Sequence, residues 1–140
     1  MLKKFTILFA FLLLISPVLF AADAEKPTTL PADGGEPGKA YMAYSKAFAA
    51  GDIAALKKMV SADRAKQLDD PQMKEMLPMM QALQPKGIKI LGGTMTSKEA
   101  TLKAEGKAEG AEQKQTGEIH MILEDKVWKL EKESWKGSMN

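Results

Sequence analysis

The chain has 140 residues, with 20 Lys or Arg, 18 Asp or Glu, one histidine and no cysteine. The missing cysteine excludes disulfides, thiol catalysis and thiolate metal sites, and also the lipid-bearing cysteine of bacterial lipoproteins. The length suits one domain around one core.

Lys3 and Lys4 precede an apolar run from Phe5 to Ile15, which Ser16-Pro17 interrupts before Val18-Leu19-Phe20-Ala21-Ala22. A positive start, a short apolar segment and small residues predict a secretory signal peptide over 1–21. Cleavage is expected after Ala21 or Ala22, with Ala22 and Ala24 forming a second A-x-A option. The run is shorter than the roughly 20 residues of a spanning helix. The expected destination is the bacterial periplasm or the medium, with the mature chain soluble. Once Lys3 and Lys4 leave with the signal, 18 of the 20 basic residues remain against 18 acidic ones. A formally neutral chain lacks the charge that nucleic acid or anionic membrane demands, so neither is an expected partner.

Residues 22–37 hold Pro27, Pro31, Gly34, Gly35 and Pro37 among small and charged residues, which predicts a flexible leader. A single domain is expected over 38–136, with a short tail at 137–140. Its first helix runs from about Lys39 to Ala50, with Ala40, Tyr44, Ala47 and Phe48 at helical spacing and Tyr41 on the flank. Gly51 suits the left-handed residue beyond the helix end. Asp52 and Ser61 are N-caps for two short helices, the first striped by Ile53, Leu56 and Val60. Asp70-Pro71 is a cap followed by proline at the first helical position. Met73, Met76, Leu77, Met80 and Leu83 then form a stripe, and Pro78 inside it predicts a kink or a split.

From Gly87 the period becomes two. Ile88 and Ile90 open a strand that Gly92-Gly93 break or bulge. Ala100, Leu102, Ala104, Gly106 and Ala108 alternate with polar residues, and so small an inward face predicts a closely approaching helix. In the last pair, Ile119, Met121 and Leu123 alternate with Glu118, His120 and Glu124, and Trp128 and Leu130 alternate with Lys129 and Glu131. A two-residue turn at Asp125-Lys126 would set Leu123 opposite Trp128 and Met121 opposite Leu130, giving one continuous apolar face. Helices first and strands after is an α+β layout: N-terminal helices packed on a curved antiparallel sheet of about four strands.

The run AYMAYSKAFAAGDIAALKKMVS resembles the helical opening of the nuclear-transport-factor-two-like superfamily, also described as ketosteroid-isomerase-like or cystatin-like. The closing GEIHMILEDKVWKLEKESW resembles its last strand pair, and the likeness covers about Gly38 to Trp135. It is closest to small exported bacterial members, many of them lipoproteins, from which this chain departs by lacking the cysteine. The resemblance implies a cone-shaped domain whose sheet wraps the first helix and leaves a pocket at the open end. It implies no activity, because the fold hosts enzymes, binding modules and dimerisation domains alike. Enzymes of the superfamily place an acidic base and a tyrosine or histidine in the pocket. No such set maps residue by residue here, so no catalytic residue is carried over.

Tyr41, Tyr44 and Phe48 on the first helix, with Trp128 facing them, are the candidate lining of a pocket for an apolar ligand; a filled core uses the same residues. Met73, Met76, Met79 and Met80 crowd eight residues. Thioethers are soft donors that favour Cu(I), while the same methionines, Met79 apart, could serve as the helix's apolar stripe. His120, expected on the wet face near Glu131, is a base or ligand in principle, but such a residue is usually plain surface. Asp69-Asp70 suit a helix start, and Glu131 and Glu133 are expected on the wet face of a strand. There is no Gly-rich phosphate loop, histidine–carboxylate metal spacing or serine-nucleophile elbow. The expectation is a non-enzymatic domain without a cofactor that binds a small apolar molecule or an envelope protein. The alternatives are a pocket isomerase or hydrolase using Tyr41 or Tyr44, and a Cu(I) protein. A homodimer through the outer sheet face, where Ile122 and Val127 lie, is a further expected partner.

Overall fold

A computed structural model describes residues 25–108, 110 and 112–137. The expected signal peptide over 1–21, the start of the leader and residues 138–140 lie outside them. The order is β1 (Thr28–Leu30), α1 (Gly35–Ala50), α2 (Ile53–Met59), α3 (Ala62–Gln67), α4 (Pro71–Leu83), β2 (Lys86–Met95), β3 (Glu99–Lys107), β4 (Lys114–Glu124) and β5 (Val127–Gly137). The five strands form one antiparallel sheet in chain order, with the helices packed on one face: an α+β fold.

The helix ends follow from local chemistry. Gly51 takes a left-handed conformation, φ 69°, and its N–H reaches the Ala47 and Phe48 carbonyls. The Asp52, Ser61 and Asp70 side chains accept from the backbone N–H groups of Ala55, Arg64 and Gln72, at 3.1, 3.4 and 2.9 Å. Asp69 pairs instead with Lys57, which holds its carboxyl below the usual range. Pro78 neither ends nor divides α4, which continues to Leu83.

The leader is a correction. Thr28–Leu30 pairs with β2, Leu30 opposite Gly93, and Leu30 is only 8% exposed. The first helix starts at Gly35, four residues before Lys39, because Pro37 in its first turn has no N–H to leave unpaired. The ordered domain therefore begins ahead of residue 38, and the sheet gains a fifth strand.

The core is Tyr41, Tyr44, Phe48, Leu56 and Val60 from the helices against Ile90, Ala100, Leu102, Ala104, Ile119, Met121 and Leu130 from the sheet. α1 lies against β2, β3 and β5, over the small residues of β3 that leave room for it. At the last hairpin, Leu123 is opposite Trp128 and Met121 opposite Leu130. Asp125 and Lys126 both have positive φ, 50° and 63°, the signature of a type I′ turn made without glycine. Lys126→Gly removes that strain at an exposed site, and should raise stability by about 0.5–1 kcal/mol in a urea melt.

The stripe on α4 is also corrected. Leu77 is buried and Met73 and Met80 are half-buried, but Met76 is 46% exposed and Leu83 71%. α4 rests on α1, α2 and α3 rather than on the sheet, so it needs a narrower apolar face than a helix that covers strands.

Candidate functional site

The alternation of β5 breaks once, and that break builds the site. Met121 faces Leu130, yet His120 faces Lys132, so Glu131 is an extra residue: a β-bulge. Before the bulge the even positions Trp128 and Leu130 turn inward. After it the odd positions Glu133 and Trp135 do, opposite Ile119 and Gly117. Backbone contacts from the helical layer hold the bulge. Val60 forms a parallel bridge with Leu130, the Ser61 N–H donates to the Leu130 carbonyl at 2.8 Å, and Arg64 Nη1 donates to the Glu131 carbonyl at 3.3 Å.

Glu133 is thereby brought beneath α1, where it is half-buried. Its Oε2 accepts from the Tyr41 hydroxyl at 2.6 Å and from Trp135 Nε1 at 3.3 Å, and its Oε1 from the Tyr44 hydroxyl at 3.5 Å. Tyr41 and Tyr44 are three apart on one helix and Phe48 is four further on, so their rings stack along one face with centroids 5.8 Å apart. Burial first, then the Glu133 charge, raises both tyrosines well above the ordinary tyrosine range; Arg64 partly offsets this at Tyr44. The hydroxyls therefore stay protonated and act as donors. Trp135 reaches the carboxylate because its ring lies over Gly117, where an added Cβ would come within 2.7 Å of the indole.

Beside this clasp is a small, partly open cavity of about 30 Å³, room for a water-sized guest. Tyr44, Phe48, Leu56 and Val60 form its floor, and α4 roofs it with Met73, Leu77 and Met80. Arg64 and Gln67 supply a polar end. α4 is tied down by few polar bonds: Gln81 Nε2 to the Phe48 carbonyl at 2.8 Å, and Gln84 to Ser45 Oγ at 3.5 Å.

Of the four residues expected to line a pocket, Tyr44 and Phe48 border this cavity. Tyr41 is fully buried, on the inward stripe rather than its flank, and points to the carboxylate. Trp128 is half-buried against the sheet side of the core. Glu133 is the residue the sequence reading places on the wrong face. His120 faces outward as expected, but the bulge puts Lys132 rather than Glu131 across from it. Its Nε2 pairs with Glu118 at 3.0 Å and its Nδ1 with Thr101 Oγ1 at 3.4 Å. The outer sheet face bears Lys103, Glu118, Ser134 and Lys136 around an open depression. Among the described residues, no three His, Asp or Glu side chains converge as a metal site, and no helix is long and apolar enough to cross a membrane.

Comparisons of the chain with protein-family models, with curated proteins and with solved structures found no match.

Proposed function

We propose that this chain is an exported, non-enzymatic binding domain that takes a small apolar molecule with one polar end between α1 and α4. The observation that carries the reading is the cavity whose floor is aromatic and aliphatic and whose rim offers Arg64 and Gln67. At its present size it admits no ligand, so binding requires α4 to lift. α4 contributes only one buried side chain to the interior, Leu77, which makes it the less anchored of the two long helices. Binding is favoured over catalysis by the state of Glu133. Three donors already occupy its oxygens, so it is spoken for as a fastener rather than left available as a base.

The test is native mass spectrometry of the mature protein from its own compartment, joined to thermal melts with p-cresol and hexanoate as probes. Retained mass, or a rise of several degrees at probe concentrations about tenfold above Kd, supports the reading. Leu77→Phe, which fills the cavity from the α4 side, should abolish both while leaving the metal-free, ligand-free protein folded. A bare chain that neither probe stabilises would remove the proposal.

A further inference from the structure

We propose that the methionine face of α4 is a binding site for a soft monovalent metal ion, Cu(I) or Ag(I), with Met76 at its centre. Four of the chain's ten methionines fall between Met73 and Met80. On an α-helix of about 100° per residue, Met73, Met76 and Met80 lie within an arc of about 60°, and Met79 lies about 60° beyond Met76. Met76 is therefore an i, i+3 or i, i+4 neighbour of each of the other three, at the spacing where side chains on a helix touch.

Core packing accounts for part of this group only. Leu77 closes the interior, and Met73 and Met80 roof the cavity from half-buried positions. Met76 and Met79 are 46% and 56% exposed, where packing asks for no large apolar side chain. What the four share is a row of thioethers that starts at the cavity rim and ends in solvent. Such an arrangement lets an ion arrive from water and lose its hydration on one side against apolar surface. Three flexible, neutral thioethers suit a large polarisable monocation, while Zn(II) and Mg(II) want imidazole, thiolate or carboxylate donors that this face does not present. The single histidine is elsewhere, on the outer face of the sheet.

The test is titration of the purified mature chain with Ag(I), and with Cu(I) under anaerobic conditions against the chelator bicinchoninate, with X-ray absorption of the 1:1 complex. The expected result is one ion per chain with a sulfur-only first shell. Met76→Leu should weaken binding about tenfold or more, and the triple replacement of Met73, Met76 and Met80 by leucine should abolish it. Leucine keeps the apolar volume, so the metal-free melting curve should barely move, and Met42→Leu, an exposed methionine on α1, should change nothing. Absence of 1:1 binding at micromolar Ag(I), or binding that survives the triple variant, would overturn the proposal. The apolar-ligand reading is tested apart from this one, because p-cresol and hexanoate are added to the unaltered chain and to Leu77→Phe, in which every thioether is kept.

Discussion

Glu133→Ala should destabilise the protein by about 2–4 kcal/mol in urea denaturation, with Glu133→Gln costing about 1 kcal/mol. A surface carboxylate at an edge strand would not cost so much. The difference lies in what is left behind. Tyr41 is fully buried, and the Glu133 carboxylate at 2.6 Å is its hydrogen-bond partner. Alanine strands that hydroxyl in the interior, weakens the hold on Tyr44 and releases Trp135 Nε1. Each buried hydroxyl without a partner costs about 1–3 kcal/mol, and Tyr44, at a longer distance, contributes less than Tyr41. Glutamine keeps an acceptor oxygen for Tyr41 and gives up the charge assistance and the weaker acceptance from Tyr44, whose hydroxyl can instead accept from the amide. A loss below 0.5 kcal/mol for alanine, the ordinary scale of a surface change, would mean that the clasp does not hold α1 to β5.

The same residue marks where sequence reasoning stops. The register of the last hairpin is legible because Met121, Leu123, Trp128 and Leu130 keep strict alternation around a two-residue turn. The helix caps are legible because Asp52, Ser61 and Asp70 are local devices, each serving an N–H two or three residues away. The α+β order follows from the change of period near Gly87. Glu133 is not legible on that basis, because one extra residue at Glu131 reverses the facing of everything after it. The sequence does carry a signal: Trp135 shares the parity of Glu133, and a tryptophan on the wet side of an otherwise alternating strand is a reason to suspect a bulge. β1 escapes for a different cause. Three residues carry too little pattern, and its pairing is made with a strand more than 60 residues away. On α4 the apolar spacing is plain in the sequence, but spacing does not say whether a helix is covered. Met76 and Leu83 carry the stripe and face solvent because no other described residue packs outside them.

Alkaline conditions should unfold this protein abruptly. It has two tyrosines, and both are in the clasp. In the unfolded chain each loses its proton near pH 10. In the folded protein burial, and then the adjacent Glu133 charge, pushes both pKa values up, so the native state keeps protons that the unfolded state gives away. Stability from this source is complete below about pH 10 and declines as pH rises above it. The slope approaches about 1.4 kcal/mol per pH unit for each tyrosine, so about 2.7 kcal/mol for the pair, a large share of a domain's total stability of about 5–15 kcal/mol. The near-ultraviolet absorbance of tyrosinate should consequently stay flat past the ordinary tyrosine pKa. It should then rise in one steep step that coincides with loss of far-ultraviolet circular dichroism. Tyr41→Phe removes one of the two titrating groups and should roughly halve the pH slope of stability above the transition's onset. If tyrosinate instead appeared gradually near pH 10 with the dichroism intact, the hydroxyls would have to reach water in the folded state. Glu133 would then be accepting from solvent rather than fastening the helix to the sheet.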